Sequence, residues 1–138
     1  MEKRTLFRKD LQQLTRLTTF VDNGDVDYSN SVICCDNSGN ILAAIIVGNV
    51  TNHPTLGGSI PNEVSDEKGS AQVLLLYIDN VSSYGYLYEL LRDFLGCFIP
   101  FKVLWCSESE YTPRNILEQL GFKSFISGIA KTYYMMIN

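Results

Sequence analysis

Two hydrophobic periods divide this chain. Ser31 to Cys35 and Ile41 to Val47 are β-prone runs separated by Asp36-Asn37-Ser38-Gly39-Asn40, which predicts a hairpin with a turn-rich connection. Gln72 to Ile78 (QVLLLYI) has no polar residue after Gln72, the pattern of a central strand covered on both faces. Leu87, Leu90, Leu91, Phe94 and Leu95 then recur at i, i+3, i+4, i+7 and i+8, one face of a helix. Phe101 to Cys106 (FKVLWC) returns to strand character. A strand, a helix and a strand in this order predict parallel neighbours joined by a right-handed crossover.

The ends of the chain add further elements. Asp10 is placed to cap a short helix, with Gln13 completing a capping box and Leu11, Leu14, Leu17 and Val21 along one face. Near the C-terminus Thr112 caps a second strongly punctuated helix and Pro113 suits its first turn. Ile116, Leu117 and Leu120 form its apolar face, and Gly121 ends it with Phe122 folding back. Ala130 to Ile137 closes the chain as a strand, preceded by another near Phe125. Asp22 to Asn30 reads as a loop. Asn49 to Ser70, with Pro54, Gly57, Gly58, Pro61 and Gly69, is a long irregular connection. Loops beyond about 12–15 residues are commonly functional or disordered, so it is a candidate substrate wall, and mobility alone explains it as well. The order is α-β-β-β-α-β-α-β(-β).

Length and composition narrow the class. At 138 residues the chain makes one domain, 1–138, and a domain of this size buries roughly 68% of its unfolded surface. With 46% hydrophobic and 19% charged residues it is globular in composition. Eleven basic against fifteen acidic residues give −4, which argues against a nucleic-acid-coating surface. Adjacent Cys34 and Cys35 point to opposite strand faces, Cys97 and Cys106 stand alone, and His53 is the one histidine, so no metal site is expected. The start MEKRTLFRKDLQQL has no apolar run of a signal peptide, and no segment reaches membrane-spanning length. The expectation is a cytoplasmic protein with reduced thiols, no membrane partner, and chance glycosylation patterns at Asn49 and Asn80.

The ending Ile116-Leu117-Glu118-Gln119-Leu120-Gly121-Phe122, followed by a strand with Tyr133-Tyr134-Met135-Met136, resembles the C-terminal signature of the GNAT-type N-acetyltransferases. The hairpin with Asn40-Ile41-Leu42-Ala43 is similar to that family's second and third strands, and the long apolar strand with its helix to the fourth strand and third helix. The resemblance covers most of the chain from Ser31 onward and leaves one N-terminal helix where the family usually has two. It implies an α/β (α+β) fold: a mixed, mostly antiparallel sheet with one parallel strand pair, flanked by helices. It also implies acetyl-coenzyme A (acetyl-CoA) bound between the fourth and fifth strands, with exposed strand backbone meeting the pantetheine and helix-start amides meeting the pyrophosphate. On this chain those positions are Tyr77 and Ile78 on the strand, and Ser83, Tyr84, Gly85 and Tyr86 at the helix start. The implied partner is a small-molecule or peptide amine.

The chain departs from the family pattern at identifiable positions. Ser82 falls at the Gln or Arg position of the phosphate motif, Gly85 at its middle glycine and Leu87 at its last small residue. The leucine adds bulk there, Asp79 adds a negative charge, and no Lys or Arg occurs between Ala71 and Leu91. Leu117 matches a tyrosine that many members use to protonate the leaving thiolate, Glu110 matches an asparagine, and Pro113 matches an alanine. Tyr111, just before the last helix, is the candidate replacement acid, set against the plainer role of a loop tyrosine. Glu108 and Glu110 are solvated carboxylates or proton acceptors, His53 a surface residue, and Trp105 a core residue. Two functions follow: an acyl-CoA-dependent N-acyltransferase, or a catalytically degenerate module of the same fold acting in partner binding or as one half of a paired domain. Eight tyrosines, seven phenylalanines and one tryptophan are enough to furnish an interface, including that of a homo-oligomer.

Overall fold

The computed structural model describes residues 1–48, 70–95, 103–127 and 130–136. Within them the chain runs β1 (Glu2–Thr5), α1 (Arg8–Thr18), β2 (Val32–Cys35), β3 (Ile41–Val47), β4 (Ser70–Ile78), a 3-10 turn (Val81–Ser83) leading into α2 (Tyr84–Glu89), β5 (Val103–Cys106), α3 (Arg114–Leu120), β6 (Lys123–Ser127) and β7 (Ala130–Met136). Leu90–Leu95 continue α2 as a π-helical segment. Residues 49–69 of the predicted loop, His53 among them, lie outside the described residues, as does Cys97, and Ser70 belongs to β4 instead.

The seven strands form one sheet in the order β1-β2-β3-β4-β5-β7-β6. Every neighbouring pair is antiparallel except β4 and β5, the predicted parallel pair. Strand β1 escapes sequence reading because Glu-Lys-Arg-Thr carries no apolar alternation. It forms as an edge strand on β2, where charged residues are tolerated.

Helix α1 covers one face of the sheet. Leu6, Leu11, Leu14 and Phe20 pack there against Ile33, Ala44, Ile46 and Leu75. Helices α2 and α3 cover the other face, where Leu87, Leu90, Leu117 and Leu120 meet Val32, Ile45, Val73 and Leu104. Cys34 and Cys35 fall on opposite faces, as adjacent strand residues must.

The helix ends depart from expectation. Phe7, not Asp10, is the N-cap of α1. Asp10 stands three residues in, accepting the Phe7 N–H at 2.7 Å and both Arg4 guanidinium nitrogens at 2.7 and 3.0 Å. The helix ends at Thr18, and Thr19 takes φ 66°, so Leu17 and Val21 are exposed and Phe20 supplies the buried contact instead. Pro113 is the N-cap of α3, while the Thr112 hydroxyl donates to the Ser107 carbonyl at 2.7 Å. At the other end Gly121 adopts φ 89° and the Phe122 N–H returns to the Leu117 carbonyl at 3.0 Å, the predicted left-handed stop.

Candidate functional site

A single bulge in β4 creates the feature of interest. Ile46 of β3 lies opposite Leu75, but the next β3 residue, Val47, lies opposite Val73, so Leu74 is an extra residue on β4. The bulge turns Leu74 and Leu75 both toward the α1 face and resets the alternation beyond them. β4 pairs with β5 only through Ser70–Val103, Ala71–Leu104 and Gln72–Trp105. Past Gln72, among the described residues, β4 has no strand partner on its β5 side, because β5 ends at Cys106; that unpaired edge, which runs to Ile78, is the cleft.

The main chain that borders this cleft follows from the β3 register. Asp79 donates its N–H to Leu42 of β3 at 3.0 Å, so Tyr77 and Leu75, two and four residues back, also bond toward β3. Leu76 and Ile78 therefore direct their N–H and C=O groups to the β5 side. The loop after β5 takes one of them, since the Tyr111 carbonyl accepts the Leu76 N–H at 2.9 Å. Of the two strand positions the resemblance implies, Ile78 thus turns its main chain to the cleft, whereas Tyr77 pairs with Ala44.

Side chains divide between the two mouths of the cleft. Ile78, Tyr84 and Tyr86 pack on the α2–α3 face; Tyr77 and Tyr111 pack on the α1 face. Burial, with the nearby Asp79 charge, pushes the Tyr77 phenol above its ordinary value. The Tyr111 ring meets Phe20 edge-on at 5.4 Å, and its hydroxyl donates to the Thr19 carbonyl at 3.3 Å and shares a hydrogen bond with Thr19 Oγ1 at 3.2 Å. Cys106, at the end of β5, is fully buried; desolvation pushes its thiol up to about 12 against the opposing hydrogen bond with Thr112.

At the helix start, Gly85 is exposed, and a Cβ built on it would meet nothing within 4 Å. Neither packing nor a positive φ requires glycine there. Leu87 corrects the sequence expectation of bulk beside a phosphate. Its side chain is wholly buried in the α2–α3 core and leaves the outer surface of the turn clear. Ser83 is buried, with its hydroxyl donating to Asp79 Oδ1.

A cavity of about 350 Å³ joins this turn to α3, lined by Tyr84, Asn115, Glu118 and Gln119. Sequence offers Glu118 and Gln119 only as part of the C-terminal signature, and Asn115 not at all. Their signal was present, because i, i+3 and i+4 spacing puts them on one side of the helix, away from Ile116, Leu117 and Leu120. Leu117, at the family's tyrosine position, is completely buried. Glu108 and Glu110 are exposed, and Trp105 is half-buried across from Tyr134.

No protein-family model matches the sequence, and no curated protein matches it. Solved structures do. A GNAT family N-acetyltransferase from Escherichia coli, in complex with CoA, is similar at TM-score 0.59 and 12% identity over 99% of this chain and 81% of that one. The spermidine N-acetyltransferase of Vibrio cholerae, in complex with CoA and spermine, is similar at TM-score 0.57 and 11% identity over 99% and 95%. An agmatine N-acetyltransferase matches at TM-score 0.57 and 12% identity over 98% of each chain. With the bulged β4, the lone parallel pair and the helix order, these likenesses establish that the chain has the fold of the GNAT N-acetyltransferases.

Proposed function

We propose that this protein is an acyl-CoA-dependent N-acyltransferase that moves an acetyl group to an amine. The observation that carries the reading is the cleft beside β4, where Ile78 turns its N–H and C=O to an edge without a strand partner, while the Tyr111 carbonyl takes the Leu76 N–H. A pantetheine arm contains amides and can continue the sheet there. Its route onward passes the open surface at Gly85 and the cavity at Tyr84 and Asn115. The donor supplies an activated acyl thioester, and the chain's residues supply orientation. The similar structures named above include CoA complexes and enzymes named for spermidine and agmatine, which supports a CoA thioester as donor and an amine as acceptor.

The two mouths give the two reactants separate approaches. The donor lies on the α2–α3 side, with Ile78, Tyr84, Gly85 and Tyr86; the amine enters from the α1 side, past Tyr77 and Tyr111. The amine must reach the carbonyl without its proton, and the departing sulfur must be stabilised as charge develops. Tyr111 bonds to the cleft strand through its main-chain carbonyl, but its hydroxyl is held by Thr19. Orientation by the cleft therefore carries more of the rate than a dedicated acid. Calorimetric titration with acetyl-CoA, followed by mass spectrometry of a diamine and peptide-amine panel, tests the reading. Binding with acetylated product is the expected result; no heat and no product at millimolar donor overturns it.

One observation favours the second reading, a catalytically degenerate module. The Leu117 side chain is sealed in the core where the family has an acid. Donor binding without turnover on any amine would select it.

A further inference from the structure

The acyltransferase reading leaves open which part of the donor the cleft grips, and the charges around it answer that. At the start of α2 the chain supplies its own acceptors for the Ser82, Ser83 and Tyr84 amides. Asn80 takes the Ser82 N–H through Oδ1 at 2.9 Å and the Ser83 N–H through its carbonyl at 3.0 Å. The Val81 carbonyl takes the Tyr84 N–H. The Asp79 carboxylate accepts the Ser83 hydroxyl and brings a negative charge to a helix start, where negative charge is favoured. Those three amides are engaged from within, and the charge beside them is negative.

A second carboxylate stands in the neighbouring cavity. Glu118 lines it with Tyr84, Asn115 and Gln119, and Arg114 Nε binds Glu118 Oε1 at 2.6 Å. The guanidinium is thereby engaged next to the cavity, and no Lys or Arg occurs from Ala71 to Leu91. Among the described residues that line it, the other groups are neutral. Asn115 and Gln119 each offer an amide with donors and an acceptor, Tyr84 offers a phenol, and Ile78 offers its main chain. Such a set suits an uncharged, amide-bearing chain better than a polyanion.

Resting on the acyltransferase reading, we propose that the cleft recognises its donor through the neutral pantetheine arm and that the nucleotide phosphates add little to binding. Calorimetric titrations of the full chain with CoA, dephospho-CoA and pantetheine test this. The three dissociation constants are expected to agree within about threefold, because each phosphate held by a charge-assisted hydrogen bond separates them by about tenfold or more. Added salt should leave the CoA affinity unchanged, since no ion pair to a phosphate is screened. Glu118→Gln removes the carboxylate and releases Arg114, so CoA should then gain about fivefold or more over pantetheine. CoA binding more than about tenfold tighter than pantetheine to the unaltered protein, or a ratio unmoved by Glu118→Gln, overturns the proposal and leaves the acyltransferase reading standing. Failure of all three ligands to bind ends both.

Discussion

Proline substitutions at Tyr77 and Ile78 read the phase of β4 directly. Proline deletes one backbone N–H, and these neighbours send theirs in opposite directions. The Tyr77 N–H belongs to the ladder with β3, opposite the fully buried Ala44. Tyr77→Pro leaves the Ala44 carbonyl without its donor, a cost of about 1–3 kcal/mol on top of the lost bond. The Ile78 N–H faces the cleft, so Ile78→Pro breaks no β3 bond and costs mainly side-chain burial, about 1 kcal/mol. Measured by urea unfolding against Tyr77→Ala and Ile78→Ala, which remove the side-chain contribution, the proline penalty should be larger at 77 by about 2 kcal/mol. Donor affinity should respond in reverse, because Ile78→Pro removes a main-chain donor from the cleft while Tyr77→Pro does not. Equal penalties at the two sites, or a larger one at 78, would show that the bulge at Leu74 does not reset the strand as described.

Three further outcomes follow from particular contacts. Gly85→Ala should raise stability by about 0.5–1 kcal/mol, seen as a melting temperature a few degrees higher, because the new methyl meets open space in the second residue of α2; a lower melting temperature would refute that open space. Burial pushes the Asp10 carboxyl up, but the Arg4 hydrogen bonds, the Phe7 amide and the Arg4 charge outweigh it and hold it below its ordinary value of 3.8. Its contribution is therefore complete above that pH and lost as pH falls through the lower folded value. Urea unfolding should accordingly show a gap between the unaltered protein and Asp10→Asn that is constant at higher pH and closes in stronger acid; a gap that widens in acid refutes the pairing. Tyr111→Phe should cost about 0.5–1 kcal/mol through the lost Thr19 contacts and leave turnover within a few-fold, whereas a fall of about 10²–10⁴ would make its phenol the acid after all.

Much of the architecture was legible in local pattern. The hairpin, the apolar β4, its parallel pairing with β5 and the Gly121 stop each leave a signature within a few residues, and each formed where the signature stood. Strand β1 left none, because an edge strand needs only one partner and tolerates charge on its free side. Asp10 carried an N-cap signature that Arg4 and the Phe7 amide redirected, since a buried carboxylate serves best where it meets a guanidinium as well.

The site depended on what no local window contains. The identity of QVLLLYI as a covered strand is written in its side chains. Which of its amides face β3 and which face the cleft is fixed by one extra residue relative to a partner strand distant in sequence. A shift of one residue reverses every backbone direction that follows. For the same reason Leu87 looked obstructive in sequence, whereas its side chain turns into the core: its direction depends on helix rotation, which packing against Val32, Ile45 and Leu90 decides. Composition and periodicity determined the elements other than β1 and their order; register, rotation and the loop carbonyl resting on Leu76 came only with the folded sheet, because they are relations between segments rather than properties of any one.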